Sequence, residues 1–410
     1  LNILKKNVLK QLAIKNITSS KLFPHRFVSF TVWNFGFSKS YIQTNDNTMH
    51  KIKDLLQKSY LQKEDILFLL QTEGEEKQLL FEKAREIRLK YSGNKVYFRG
   101  LVEYSDICAK NCYYCGIRRD NKKINRYTMS DEEVLAAAKY AYDNNFMSLV
   151  LQGGELSSPA FVDKISDLLD KIMEISNNSL GITLSFGEQS EETFRKWNEK
   201  GARRYLLRIE SSNKTLYEKI HPKDALHSYA ERIKHIHLLR KTGYQVGSGV
   251  MIGLPFQSIE DLADDLLFFR EMDIDMLGMG PYVEHEDTPL FEYQSSLWSK
   301  EKRMDMTLKM LAILRIMMKD INMAATTAMQ SIDARGREKA MYVSANVMMP
   351  NLTPLKYREG YLLYNNKPGV KEQIEDSLEG MEAQIKAAGC AVGYGEWGDS
   401  KHFKKRQKND

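Results

Sequence analysis

The spacing of apolar and polar residues changes character near residue 95. From Met49, "HKIKDLLQKSYLQKEDILFLLQ" and "EKQLLFEKAREIRLKYS" carry apolar residues at helical intervals. "NKVYFRGLVEYSD" then reads as a strand. Beyond it, short apolar stretches alternate with amphipathic ones. "SLVLQGGE", "LGITLSFGE", "ARRYLLRIE", "YQVGSGVMIGLP" and "DMLGMGPYVE" predict strands two to six. "SDEEVLAAAKYAYDNN", "SEETFRKWNEKG" and "SIEDLADDLLFFREMD" predict helices between them. "NMAATTAM" and "ANVMMPNL" predict strands seven and eight around the helix "SIDARGREKAMYVSA".

Strands that alternate with helices imply a parallel sheet with right-handed crossovers. Eight such units over about 260 residues match a (β/α)8 TIM-type barrel. The expected fold is therefore α/β, a barrel with an N-terminal helical extension; an open doubly wound sheet is the alternative. The expected segments are 1–48 outside the fold, 49–95 the N-terminal helices, 96–355 the barrel, and 356–410 a segment closing the barrel and ending in a polar tail. In either fold, function gathers at the C-terminal ends of the strands.

Composition changes this picture at one end only. Residues 1–48 hold seven of the 60 basic residues and one of the 54 acids, which leaves 53 of each in the rest. The net charge of +6 thus comes from this segment and gives no argument for nucleic acid. The segment reads as a transit peptide or as upstream sequence translated ahead of Met49; with a single arginine, Arg26, it is poor in the residue that transit peptides favour. The expected setting is the cytoplasm, or the matrix of an anaerobic organelle if the segment is a transit peptide. No apolar run reaches the roughly 18–20 residues of a membrane span, so no membrane partner is expected. Four cysteines in 410 residues exclude a secreted disulfide framework.

Three of those four, Cys108, Cys112 and Cys115, crowd into "ICAKNCYYCGI", on the loop after the first predicted strand. Three thiolates at C-x3-C-x2-C spacing suit one metal centre. Zinc needs a fourth ligand, and no histidine or second C-x2-C lies beside the loop. A four-iron cluster normally takes four cysteines. Here the fourth, Cys390, is remote in sequence, which would leave one iron open to a ligand that is not protein. Other candidates sit at later strand ends. Gly154 and Glu155 end "QGGE", where a tight turn is the plain alternative to ligand approach. Arg208 and Glu210 share one side of "RYLLRIE" by alternation and suit a zwitterion, the alternative being a buried ion pair. Arg232, on the next helix, reads as a carboxylate partner or as an exposed charge. Thr183, Thr326 and Thr327 interrupt apolar strands. Met276, Met349, Tyr361 and Tyr364 read first as packing residues.

The cysteine loop, with Tyr114 just before its last cysteine, resembles the signature of the radical S-adenosylmethionine (radical SAM) enzymes. Over about residues 50–395 the chain is similar to the HydE group of FeFe-hydrogenase maturases. The matching stretches are "CYYCGIRRDN", "RYTMSDEEV", "LVLQGGE", "ITLSFGE", "RYLLRIE", "GLPFQSIEDLADDLLF" and "DMLGMGPYVEHEDTPL". The resemblance implies one 4Fe–4S cluster on Cys108, Cys112 and Cys115, and S-adenosylmethionine bound near Tyr114, Gly154, Glu155, Arg208, Glu210, Arg232 and Met276. It implies a substrate cavity lined by Thr183, Thr326, Thr327, Met349, Tyr361 and Tyr364. It implies reductive cleavage of S-adenosylmethionine to a 5′-deoxyadenosyl radical that attacks a sulfur of a small cysteine-bearing iron complex. The implied partners are that complex, an external electron donor of the ferredoxin or flavodoxin kind, and other hydrogenase maturases. Some members carry three further cysteines for a second cluster; this chain lacks them, so one cluster is expected and Cys390 has no assigned role. Biotin synthase needs a second cluster whose cysteines have no counterpart here. A methylornithine synthase-like isomerase would need cavity acids for two amines. An iron–sulfur scaffold would cleave no S-adenosylmethionine.

Overall fold

The computed structural model describes residues 46–409. The expectation for residues 1–48 lies, through position 45, outside the described residues. The N-terminal helical stretches form helices Asp46–Leu55, Lys63–Leu70 and Gly74–Ile87, the last running into a wider turn at Arg88–Ser92. The long first stretch breaks after Leu55, and Gln62 then caps the next helix together with Asp65.

Twelve strands follow in chain order: β1 (Lys95–Phe98), β2 (Gly100–Ser105), β3 (Ser148–Gly153), β4 (Gly181–Ser185), β5 (Ala202–Leu206), β6 (Gln245–Ser248), β7 (Met251–Ile252), β8 (Met276–Leu277), β9 (Gly280–Pro281), β10 (Asn322–Met323), β11 (Val347–Met348) and β12 (Ala391–Val392). One parallel sheet has the order β10-β8-β6-β5-β4-β3-β2. Each of its strands pairs with the next in this winding, so there is no switch point and the doubly wound alternative falls. The segment after residue 346 closes the seam. Val347 bridges Ala324 beyond β10, and Asn351 bridges Leu101 on β2. The eighth staff of the barrel is therefore a pair of single bridges rather than a full ladder. Its short strand β11 also pairs with β1, which pairs in turn with β12.

The sheet strands read as apolar runs because helices cover one face and the barrel interior the other. Leu149, Leu151, Ile182, Leu184, Tyr205 and Val246 are all buried. The covering helices begin where the chain supplies serine caps. Ser130 accepts from the Glu133 amide while the Glu133 carboxylate accepts from the Ser130 amide, and Ser258 and Asp261 repeat the arrangement.

Several predicted strands are shorter than expected. The first divides at Arg99, whose buried guanidinium donates to the Gly398 carbonyl at 3.2 Å. The fourth ends at Leu206, before Arg208. The seventh ends at Met323; Thr326 stands just before, and Thr327 begins, the helix Thr327–Ile332 instead of interrupting a strand.

The foot of the barrel is filled by the chain after β12. The Gly398 carbonyl accepts from Asn322 Nδ2 at 2.7 Å, and Asp399 accepts from Gln245 Nε2 at 2.8 Å and Arg204 at 3.3 Å. Helix Lys401–Asn409 then clamps this segment. His402 lies between Asp273 (2.5 Å) and Asp320 (3.1 Å), Lys405 pairs with Asp320, and Arg406 pairs with Asp273 and Asp275, each at 2.7 Å. Hydrogen bonds to Asp273 and Asp320 push His402 up to about 9. Because the folded value lies above the unfolded one, its stabilisation is complete below about pH 6.5 and is lost as pH rises toward 9. Unfolding free energy is expected to fall by about 1–3 kcal/mol across that window. Denaturant titrations at pH 6.5 and 9 check this, and His402→Gln is expected to flatten the difference.

Candidate active site

The cysteine loop leaves β2 at the C-terminal mouth of the barrel. Arg126 frames it, donating to the carbonyls of Asp106 (2.5 Å), Ile117 (2.8 Å), Arg118 (2.6 Å) and Asn121 (3.1 Å). Asn121 Nδ2 donates to the Gly116 carbonyl at 2.7 Å, and His227 Nε2 accepts from the Asn111 amide at 2.9 Å. Cys108 Sγ accepts from the amides of Lys110 (3.4 Å) and Glu155 (3.3 Å), which joins this loop to the one after β3. Gly154 makes the junction possible: a Cβ there would lie 2.1 Å from the Ile107 carbonyl oxygen. The missing side chain at Gly154 thus admits the cysteine loop's own backbone.

Tyr114 packs edge-on against His221 and its hydroxyl lies 3.0 Å from Nε2. Burial lowers His221 to about 3, so the ring is neutral. Its Nδ1 then carries the proton toward the Tyr217 carbonyl at 2.8 Å, and Nε2 accepts from Tyr114.

Cys108, Cys112 and Cys115 line a cavity of about 360 Å³ inside the barrel mouth. Burial raises all three thiols, Cys115 to about 12. Left alone they are neutral; an electropositive centre would hold them as thiolates. Among the described residues no trio of His, Cys, Asp and Glu converges tightly enough for a single ion. Ligands that take separate corners of a cubane need not converge on one point, so the donor set fits a cluster better than mononuclear zinc.

Two charge-balanced groups flank the thiols. Arg208 grips Glu210 through two parallel bonds, Nε to Oε1 at 2.7 Å and Nη2 to Oε2 at 2.8 Å. Burial would lower Arg208, but the Glu210 carboxylate outweighs it and raises the guanidinium above its ordinary value. Strand alternation is not what brings the two together, since Glu210 has left the strand with φ of 64° and pairs singly with Val250. The second group joins four elements. Lys110 pairs with Glu188 at 2.8 Å and Glu155 at 3.7 Å, and Arg232 pairs with Glu188 at 2.8 Å and Glu155 at 3.2 Å. Burial pushes Glu155 up despite Arg232. Burial also acts on Glu188, but Arg232 and Lys110 prevail and hold it down to about 2.

Most expected residues converge. Tyr114, Gly154, Glu155, Arg208 and Glu210 line the cavity with the cysteines, and so do Thr326, Thr327, Met349, Tyr361 and Tyr364. Arg232 stands behind Glu155 as a buried charge, not an exposed one. Two positions differ. Thr183 lies below the cavity, where its hydroxyl accepts from Arg204 Nε at 3.2 Å. Met276 lies outside the lining too; its sulfur accepts from Arg99 at 3.1 Å. Both sit low in the barrel because β4 and β8 contribute them at or before mid-strand. Cys390 is far from the other thiols in role, since it accepts from Arg88 at 3.2 Å.

Sequence reasoning passed over Lys110, Glu188, Glu103 and Lys367. Lys110 and Glu188 lie inside the stretches "ICAKNC" and "SFGE", so their position carried a signal. Glu103 and Lys367 form a buried ion pair on the cavity wall, and Asn351 Nδ2 donates to Glu103 at 3.1 Å. Nothing local marks that pair, whose members lie on β2 and in the segment after β11.

Residues 102–269 match the Radical SAM superfamily. The chain is 43% identical over 327 residues to the FeFe hydrogenase maturase subunit HydE of Thermotoga maritima, covering 79% of this chain and 89% of that protein. It is 27% identical over 328 residues to 3-methylornithine synthase of Methanosarcina acetivorans, covering 78% and 89%. The crystal structure of methylornithine synthase (PylB) superposes with a TM-score of 0.71 at 23% identity, covering 84% of this chain and 97% of that one, which supports the fold. Among the described residues no helix is long and apolar enough to cross a membrane.

Proposed function

The chain belongs to the radical SAM superfamily and, within it, to the HydE family of FeFe-hydrogenase maturases, and from that premise we propose that it is the enzyme that modifies a small sulfur-bearing iron complex during hydrogenase maturation. The observation that carries this reading is the meeting of three thiols and two balanced charge groups on one cavity at the strand C-termini. Cys108, Cys112 and Cys115 would hold a 4Fe–4S cluster, and Arg208, Glu210 and Glu155 would face the methionyl end of S-adenosylmethionine. Bound together, cluster and cofactor supply a 5′-deoxyadenosyl radical, here directed at a sulfur of the substrate.

The chain's own residues orient and insulate. Arg208 and Glu210 offer one charge of each sign to an ammonium and a carboxylate, and neither is free to swing while the fork holds. Arg232 and Lys110 keep Glu188 ionised and brace Glu155 from behind. Tyr361 and Leu363, from the segment after β11, wall the cavity against water, which protects a reactive species. The buried acids Glu103, Glu155, Glu188 and Glu210 each have a cation already, so the cavity offers no unpaired buried carboxylate to a diamine, which favours the maturase reading over an isomerase acting on lysine. An external low-potential electron donor and the other maturases complete the proposed set of partners.

Anaerobic reconstitution followed by dithionite and S-adenosylmethionine is expected to release 5′-deoxyadenosine. Co-expression of an FeFe hydrogenase with the remaining maturases is expected to give active enzyme only when this chain is present. Absence of 5′-deoxyadenosine would mark the chain as a scaffold, and full hydrogenase activity without it would remove it from maturation.

A further inference from the structure

Eight arginines are buried among the described residues: Arg88, Arg99, Arg204, Arg232, Arg303, Arg315, Arg337 and Arg358. Seven of them each make at least one hydrogen bond or ion pair to the protein, although the Nε atoms of Arg88, Arg99 and Arg303 lack an acceptor. Arg315 reaches the carbonyls of Lys319, Ile321 and Ser344, and Arg358 those of Asn351, Thr353, Gly369 and Glu372. Arg303 pairs with Glu284, Arg232 with Glu155, and Arg204 with Asp399. Arg88 donates to Cys390 and Lys95, and Arg99 to Gly398. Arg337 is the exception. It is 7% exposed, makes no hydrogen bond or ion pair with any described residue, and its Nε is buried without an acceptor.

Arg337 also lines the cavity, at the first turn of helix Gly336–Val343, and the other cations there are spoken for. Lys110 is held by Glu188, Arg208 by Glu210, and Lys367 by Glu103. Glu338, beside Arg337 in sequence, gives its carboxylate to Arg335. Glu372 acts on Arg337 only through its field, and it is exposed. Burial lowers Arg337 to about 10, so it is charged at neutral pH. A guanidinium this deeply buried with no protein partner is a penalty on the ligand-free fold that an anionic ligand in the cavity would relieve. Its flat fork of donors matches a carboxylate through two parallel bonds.

We propose that Arg337 is the anchor for the anionic end of the substrate, gripping a carboxylate so that the sulfur end of the molecule is turned toward the cysteine loop. This rests on the reading of the cavity as a substrate chamber. It adds a specificity: derivatives of that molecule masked at the carboxylate are excluded.

The test uses full-length protein with its cluster oxidised and S-adenosylmethionine bound, so that the iron site is occupied. S-Methyl-L-cysteine is the probe and its amide is the carboxylate-free control. In the wild type, S-methyl-L-cysteine at tens of millimolar is expected to raise the melting midpoint by about 2 °C, and the amide is expected to leave it unmoved. In Arg337→Met the response is expected to vanish, while the ligand-free midpoint rises by about 2 °C because an uncompensated charge is gone. Arg337→Lys, which keeps the charge and loses the fork, is expected to show a weakened response. A wild type indifferent to S-methyl-L-cysteine, an undiminished response in the variants, or a lowered ligand-free midpoint in Arg337→Met would overturn the assignment. Release of 5′-deoxyadenosine by the wild type on reduction checks the enzyme reading separately, so loss of one result leaves the other standing.

Discussion

Cys112→Ser is expected to abolish iron–sulfur binding and all cleavage of S-adenosylmethionine while the barrel stays folded. Cys112 is buried, and serine differs from it by one atom at the same place in the chain. A serine hydroxyl does not ionise in this range, so one of the three proposed ligands is lost outright. The loop itself depends little on the sulfur. Its frame is Arg126 with four carbonyls, Asn121 with Gly116, and His227 with Asn111. The Cys112 contribution to that frame is its backbone carbonyl, which accepts from the Cys115 amide at 3.3 Å and survives the change. Thermal unfolding of the cluster-free protein is therefore expected to shift by about 1 kcal/mol or less, the size of an ordinary conservative change at a site without a lost partner. Iron content, the visible absorption of the cluster and 5′-deoxyadenosine are expected to fall to background together. Cleavage retained in this variant would mean that the three cysteines are not the ligands.

Glu210→Gln is expected to weaken S-adenosylmethionine binding by about 2 kcal/mol, roughly thirtyfold, through its effect on Arg208. The side chain of Glu210 is 12% exposed and that of Arg208 28%, so the pair sits where loss of the charge is felt. Glutamine keeps the size and one acceptor but cannot neutralise Arg208 or attract an ammonium. Equilibrium dialysis against S-adenosylmethionine separates this from a folding defect, which denaturant titration of the cluster-free protein would register. An affinity unchanged in Glu210→Gln, with stability lowered, would make the pair a structural strut. The substitution retains a non-glycine residue at φ of 64°, so backbone strain is the same in both proteins.

How far these sites were visible beforehand can be judged from particular residues. The cysteine loop, Gly154, Glu155, Arg208 and Glu210 were legible because each ends an apolar stretch that alternates with helices, and strand ends in such a fold meet at one mouth. The structure adds a physical reason at two of them. Gly154 accommodates the Ile107 carbonyl, and Arg208 faces Glu210 because the chain turns out of the strand at a positive φ. Thr183 and Met276, expected on the substrate and cofactor sides, do not line the cavity; a polar or sulfur-bearing residue within a strand pattern carries no information about its height along the barrel axis. Thr183 is spent on Arg204 and Met276 on Arg99.

Periodicity and spacing alone determined the alternation of strands and helices, the barrel class and the single thiol cluster, since these depend on local patterns of apolar residues and on neighbours within eight positions. The tertiary structure alone decided which charges are paired. Lys110 with Glu188, Glu103 with Lys367, and His402 between Asp273 and Asp320 are contacts across tens to hundreds of positions. It decided, too, that Arg337 is left over, because a charge is unpaired only relative to everything packed around it, and no local pattern records what a distant segment fails to supply.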